Sequence, residues 1–283
     1  TQDTAGPLCR TVADAAALLT ALAGPDPRDR ATAAAAGHRA PDYTRFLDPA
    51  GLRGARIGVA REKFFGYSDV ADRLAEAALD AMRGAGAVIV DPADIPHAGT
   101  YDEAELEVLL YELKADLNGY LATLGPAAPV RTLADVIAFN DREHDREMPY
   151  FGQELFARAE AKGPLTTPAY RAALHACARL SRTLGLDAVM RRHRLDALVA
   201  PTGNPAWPTD LVNGDHFTGS SSTPAAVAGY PSVSVPMGEA WGLPVNLSFV
   251  GRAWSEPVLI RLAYAFEQIT MHRTSPRFLP TLA

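Results

Sequence analysis

The chain has 283 residues, 48% hydrophobic and 21% charged, the balance of an ordinary globular protein with room for one large domain or two small ones. Its net charge of -6 gives no electrostatic footprint for nucleic acid or an anionic membrane surface, so neither is expected as a partner. No apolar run reaches the roughly 18–20 residues that span a bilayer, and no signal-peptide pattern is seen, so a cytoplasmic location is expected.

Two cysteines, Cys9 and Cys177, stand far apart in no metal-binding or redox spacing and read as reduced core thiols. Basic charge is almost all arginine, the lysines being Lys63, Lys114 and Lys162. The chain begins at Thr1 rather than Met, which leads us to expect sequence upstream of it.

In chain order, Thr11 is a predicted N-cap for a helix over Val12 to Leu22, stopped by Gly24-Pro25. Residues 25–50 are rich in Pro, Asp, Arg and Ala and read as a surface connection. Strands are predicted at 56–60 and 87–90 with an amphipathic helix over 69–83 between them, a βαβ unit of right-handed crossover. From 101 to 194 the pattern is helical, with segments near 103–123, 132–141 and 150–161. Thr167-Pro168 then opens a helix predicted to run to about Arg194.

The last third returns to strands at 195–200, 232–235 and 245–249, where Pro236 and Gly238 are read as the end of the middle one. Thr223-Pro224 is read as N-cap and first turn of a short helix, and Ser255-Glu256-Pro257 as the start of a closing helix. The fold class is therefore α/β, a mixed β-sheet covered by α-helices, with the early and late strands in one sheet. We divide it into a helix plus βαβ unit over 1–100, a helical cap region over 101–194, and sheet strands with a closing helix over 195–283.

Three stretches have a specific look. They are Asp3-Thr-Ala-Gly-Pro-Leu-Cys-Arg-Thr-Val-Ala-Asp-Ala15, then Leu195-Asp-Ala-Leu-Val-Ala-Pro-Thr202, then Thr223-Pro-Ala-Ala-Val-Ala-Gly-Tyr-Pro-Ser-Val-Ser-Val-Pro236 followed by Gly242-Leu-Pro-Val-Asn-Leu-Ser-Phe-Val-Gly251. In order and spacing they resemble the amidase signature family, with Leu8-Cys9 and Asn246 as small departures. The resemblance spans nearly all of the chain and is weakest between 100 and 165.

The resemblance implies hydrolysis of a carboxylic amide to acid and ammonia or amine, with no metal or organic cofactor and a small-molecule amide as substrate. In that family a lysine accepts the proton, one serine relays it through a cis peptide, and a second serine attacks the carbonyl. Backbone N–H groups of a Gly-rich segment hold the oxyanion. All of these lie N-terminal to the stretch that here begins at Asp3. The resemblance therefore implies that 1–283 is the C-terminal part of an amidase-signature domain, with no catalytic residue in this chain.

The residues themselves offer little substitute. Gly219-Ser-Ser-Ser222 has paired serines but no glycines after Ser222, and reads as a polar loop before a helix. The three lysines read as exposed, and the seven histidines form no His-x-x-x-His or His-x-His pair. His216, Ser220, Ser221 and Ser222 are the candidates for lining a substrate pocket. Members of the resembled family that act in tRNA-dependent amidation carry an acidic residue a few positions before the equivalent of Thr223, so through the resemblance the uncharged stretch Gly219 to Ser222 implies a stand-alone amidase.

Two readings stay open: an enzyme portion, and a non-catalytic α/β ligand-binding or interaction module. Under the first, the missing part of the core leaves apolar surface uncovered. Exposing even ~500 Å² costs on the order of 12 kcal/mol, so self-association is expected.

Overall fold

A computed structural model describes residues 1–278. It divides into two compact units, the larger comprising 2–98, 181–209 and 215 onward, the smaller 99–180 and 210–214 together with Thr1.

The larger unit is built on one five-stranded sheet in the order β2-β1-β3-β5-β4. Strand β1 (Arg56–Val59) runs parallel to β2 (Val88–Val90) and to β3 (Ala197–Pro201), as the βαβ reading requires. Strands β4 (Ser232–Ala240) and β5 (Leu243–Val250) form an antiparallel hairpin, and β5 pairs antiparallel with β3. Early and late strands thus share a mixed sheet, with β3, buried at every position, in the middle.

One face of the sheet is dry. Ile57, Val59, Val199, Val235, Met237, Val245, Leu247 and Phe249 pack on helix α2 (Asp69–Gly84) and the closing helix, Glu256–Thr270. Helix α2 forms because its apolar residues recur at helical spacing, Ala71, Ala75, Ala78, Leu79 and Met82 all being buried. Ser68 caps it, its hydroxyl accepting from the Ala71 amide. The closing helix buries Leu259, Leu262, Ala263 and Phe266, the side predicted from their spacing. It also holds α1 (Val12–Leu22), since Glu267 accepts from the Val12 amide at 2.9 Å. Thr11 caps α1 as predicted, taking the Asp14 amide at 3.0 Å.

The opposite face is only partly covered. Leu198, Ala200 and Val250 pack on a cluster with Leu186, Val189, Met190, Ala225 and Ala228. Toward β4 that face turns polar and carries Ser232, Ser234, Asn246 and Ser248.

The smaller unit is helical. Helices α3 (Asp102–Ala122), α4 (Leu133–Arg142) and α6 (Glu154–Glu160) fall on the predicted segments, α5 (His144–Glu147) is an additional short turn, and α7 (Pro168–Ala178) starts where predicted. Leu110, Leu133 and Ala159 form their core with Leu106, Leu117 and Phe156 around them. A capping box between Thr132 and Asp135 fixes the start of α4.

Several expectations are corrected. The helix predicted from Pro168 to about Arg194 breaks into α7, a π-helical stretch over Arg179–Leu186 with Gly185 outside helical geometry, and α8 (Asp187–His193). A glycine mid-helix lowers the cost of such a break. Helix α9 (Thr223–Ala228) has Ser222, not Thr223, at its N-cap, and α10 is the closing helix already described. Pro236 and Gly238 do not end β4. The strand continues past them to Ala240 through an irregular register at Met237, because β4 is an edge strand, where a proline breaks no ladder bond.

Cys177 is buried but Cys9 is exposed, so only one thiol belongs to a core. Lys63 is exposed, whereas Lys114 and Lys162 are half-buried because carboxylates receive them, Glu160 at 3.2 Å and Glu107 at 2.6 Å. Residues 25–50 are less of a surface connection than composition suggests, since Tyr43 is buried and Phe46 and Leu47 pack on the core. Among the described residues no helix is long and apolar enough to cross a membrane.

Candidate functional site

The polar half-face leads to the C-terminal end of β3, where Pro201 and Thr202 leave the sheet. The Thr202 amide donates to the Asn246 carbonyl at 2.8 Å, so residue 202 faces β5. The Pro201 carbonyl then points the other way. There β1 has already ended at Val59, and no strand amide meets it. Two side chains do: the Ser221 hydroxyl donates at 2.7 Å and the Tyr67 hydroxyl at 3.2 Å. Burial pushes the Tyr67 phenol well above its ordinary value, and the nearby Asp72 charge adds to this, so Tyr67 stays a donor. Gly219 is required beside it, because a Cβ there would stand 2.5 Å from the Tyr67 ring.

On the sheet itself, Thr202 shares its hydroxyl with Ser248 at 2.8 Å and with Ser234 at 3.1 Å, a chain of three hydroxyls across three adjacent strands. Asn246 stands on the same face, its side-chain oxygen buried with no hydrogen-bond partner among the described residues.

The loop between Thr202 and Ser222 is pinched at its base. The Ser221 amide donates to the Thr202 carbonyl and the Asn204 amide to the Gly219 carbonyl, with a bridge between Gly203 and Ser220. Above the pinch, the Trp207 indole N–H donates to Asp215 at 2.8 Å, and the Asn204 side chain donates to the His216 carbonyl at 3.4 Å. A cavity of about 300 Å³ opens beside this loop, lined chiefly by Tyr67, Trp207, His216 and Trp241, with Asn204 and Thr218 offering polar atoms.

The four candidate residues divide. His216 lines the cavity. Ser221 is buried on the Pro201 carbonyl, and the hydroxyls of Ser220 and Ser222 face each other at 3.3 Å outside the cavity lining. The partners of these serine hydroxyls are other oxygens, and none is an imidazole, ammonium or carboxylate. An activated serine needs such a base within reach, whereas these hydroxyls are engaged in holding the base of the loop. Sequence reading missed Tyr67, Trp207 and Trp241. It also missed the hydroxyl chain, although Ser232/Ser234 and Asn246/Ser248 alternate with apolar residues in the period-2 pattern of a half-polar strand.

A second hollow, of about 380 Å³, lies among Arg56, Arg192, His193 and Arg194. There the Arg56 guanidinium donates to the His193 carbonyl at the end of α8, a bond that ties a helix terminus. Among the described residues no group of three His, Cys, Asp or Glu side chains could hold a metal ion.

Known proteins resemble this chain in sequence and in fold. The amidase family profile matches residues 1–260. A probable amidase of Arabidopsis thaliana is 37% identical over 98% of this chain and 50% of its own length. A glutamyl-tRNA(Gln) amidotransferase component of Myxococcus xanthus is 34% identical over 94% of this chain and 54% of its own length. A solved structure of a peptide amidase, in complex with the competitive inhibitor chymostatin, superposes with a TM-score of 0.92 at 52% identity, covering 98% of this chain and 56% of that one. The chain spans about half the length of the relatives it matches. With a match over most of its residues and the same mixed sheet and helices, the chain belongs to the amidase family.

Proposed function

We propose that this chain is the C-terminal portion of a stand-alone amidase that hydrolyses a carboxylic amide of a peptide-like substrate to the acid and ammonia or amine. The observation that carries the reading is the likeness to a peptide amidase, 52% identical at a TM-score of 0.92. That relative is closer in sequence than the 34% identical amidotransferase component, which supports hydrolysis over tRNA-dependent amidation.

In this reading the lysine and two serines of the family's chemistry lie in the part of the relatives outside the matched region. This chain supplies the sheet, the helical region and one wall of the substrate pocket. The half-buried lysines support that division. Lys114 and Lys162 are held by Glu160 and Glu107 and leave no free amine for a serine. The pocket wall includes His216 and is braced by Ser220, Ser221 and Ser222 at the base of the same loop.

The test has two steps. The coding sequence ahead of Thr1 is expected to encode a lysine segment and two Gly- and Ser-rich segments. The polypeptide carrying them should release ammonia from a C-terminally amidated dipeptide, and the present chain alone should not. Turnover by the chain alone that is lost in Ser220→Ala, Ser221→Ala or Ser222→Ala would overturn this division. An upstream sequence without those segments would favour a non-catalytic binding module.

A further inference from the structure

The hairpin joining β4 to β5 breaks a local rule. Ala240 pairs with Leu243, so Trp241 and Gly242 form a two-residue turn. Both have positive φ, 53° at Trp241 and 76° at Gly242. Turns of this kind favour Asn, Asp or Gly at both positions, and a bulky residue there is an outlier. Strain of this sort persists where something other than stability needs the side chain. The Trp241 indole is 54% exposed, so core packing does not account for it. What it does is close one side of the cavity that Tyr67, Trp207 and His216 line.

The other walls are fixed as well. Tyr67 is held by its bond to the Pro201 carbonyl and by its contact with Gly219, and Trp207 by its bond to Asp215. The cavity is therefore preformed. At about 300 Å³ it lies at the small end of ligand pockets, a size that suits one large side chain. Tyr67, Trp207 and Trp241 supply aromatic walls beside the apolar Pro205, Ala206 and Pro208, and aromatic rings meet one another edge-to-face or offset. Charge narrows the choice. Among the described residues no Asp or Glu lines the cavity, which favours an uncharged side chain over a cationic one.

We infer that this cavity is a specificity pocket for one neutral aromatic side chain of the amide substrate, with Trp241 as its determining wall. The inference rests on the amide-hydrolase reading above and adds the substrate class to it. Asn204 and Thr218 are polar members of the same lining, the Asn204 amide nitrogen already donating to the Pro205 and His216 carbonyls.

The experiment separates the two readings. In the polypeptide carrying this chain, kcat/KM is measured for N-acetyl-phenylalaninamide and N-acetyl-alaninamide. The indole N–H resonances of Trp207 and Trp241 are followed as each compound is added. The pocket predicts a preference for the phenylalanine amide. It also predicts that Trp241→Asn lowers that ratio by roughly tenfold or more, the discrimination a hydrophobic pocket supplies. Because Asn suits the turn, Trp241→Asn should melt no lower than the parent, so loss of preference cannot be put down to unfolding. Trp207→Leu is the second variant and should lower the ratio in the same direction.

Indole shifts with the phenylalanine amide but no turnover of either compound would uphold the pocket and overturn the hydrolase reading. Turnover with equal preference, unshifted Trp207 and Trp241 resonances, or a ratio unchanged in both variants would overturn the pocket.

Discussion

The Pro201 carbonyl offers a quantitative test of how the site is held. It is buried and off the β-ladder, and two hydroxyls serve it, Ser221 at 2.7 Å and Tyr67 at 3.2 Å. Removing either donor leaves the other, so Ser221→Ala and Tyr67→Phe should each cost about 0.5–1.5 kcal/mol, the net worth of one hydrogen bond. The Tyr67→Phe cost should be the smaller, since its bond is the longer one. The double variant is different in kind. It strips the carbonyl of both donors and adds the penalty of an unsatisfied buried acceptor, about 1–3 kcal/mol. The double variant should therefore lose at least ~1 kcal/mol more than the sum of the singles, within the coupling range of residues that share a partner. At about 2–4 °C per kcal/mol for a chain of this size, that excess alone is visible in a melt. Denaturant titration followed by tryptophan emission is a suitable assay. All three tryptophans, Trp207, Trp241 and Trp254, lie in the larger unit and report on it alone. Costs that add to within ~0.3 kcal/mol would refute the reasoning, because the carbonyl would then have another donor.

Two further predictions follow from burial and from the sheet edge. Burial raises the phenols of Tyr67, Tyr101 and Tyr170 well above the value of about 10 that tyrosine has in an unfolded chain. The folded state therefore holds more protons above that pH, and stability is intact below about 10 and falls as pH rises toward the folded values. Tyrosinate absorbance beyond that of exposed tyrosines such as Tyr120 and Tyr150 should accordingly appear together with loss of tertiary signal, and ionisation of these three phenols in a still-folded protein would contradict it. Separately, β4 is an edge strand of nine residues with no second partner among the described strands, and the chain alone should self-associate through it. Sedimentation would show a dimer or larger species, and a strict monomer at high concentration would mean that the edge is protected.

Much of the fold is legible in the sequence because its signals are local. Thr11 and Asp14 announce α1, the spacing from Ala71 to Met82 announces α2, and the apolar runs at 56 and 195 announce central strands. The misreadings share a cause: each turned on the neighbours of a residue. Pro236 ends a central strand but not an edge strand, and only the sheet order makes β4 an edge. Lys162 reads as exposed beside Gly163-Pro164 until Glu107, on a different helix, is seen to hold it. The site follows the same pattern. His216 and the three serines lie close together in one loop and could be picked out. Tyr67, Trp207 and Trp241 come from three separated segments, and nothing in their local sequence joins them. The positive φ of Trp241 has a faint trace in the sequence, since a glycine follows the tryptophan between two strand-like runs, but Trp-Gly is not a turn signal that composition rules recognise.

The two faces of the sheet also separate stability from specificity. The face carrying Ile57, Val199, Leu247 and Phe249 obeys every local rule: it is apolar, dry and covered by α2 and α10. The rule-breaking residues gather elsewhere. Asn246 keeps a buried oxygen without a partner among the described residues, at a cost of about 1–3 kcal/mol. Trp241 occupies a turn position suited to asparagine or glycine, and the Pro201 carbonyl depends on two side chains instead of a strand. Asn246 and Pro201 lie where the end of β3 pairs with the middle of β5, and Trp241 caps the hairpin that β5 completes. Sequences that specify a fold depart from local consistency chiefly where function demands it. By that criterion, Phe249→Ala should act through stability, as large core truncations do. Changes at Trp241 should act on what the protein binds, and Tyr67 should show both effects, since its hydroxyl also serves the Pro201 carbonyl.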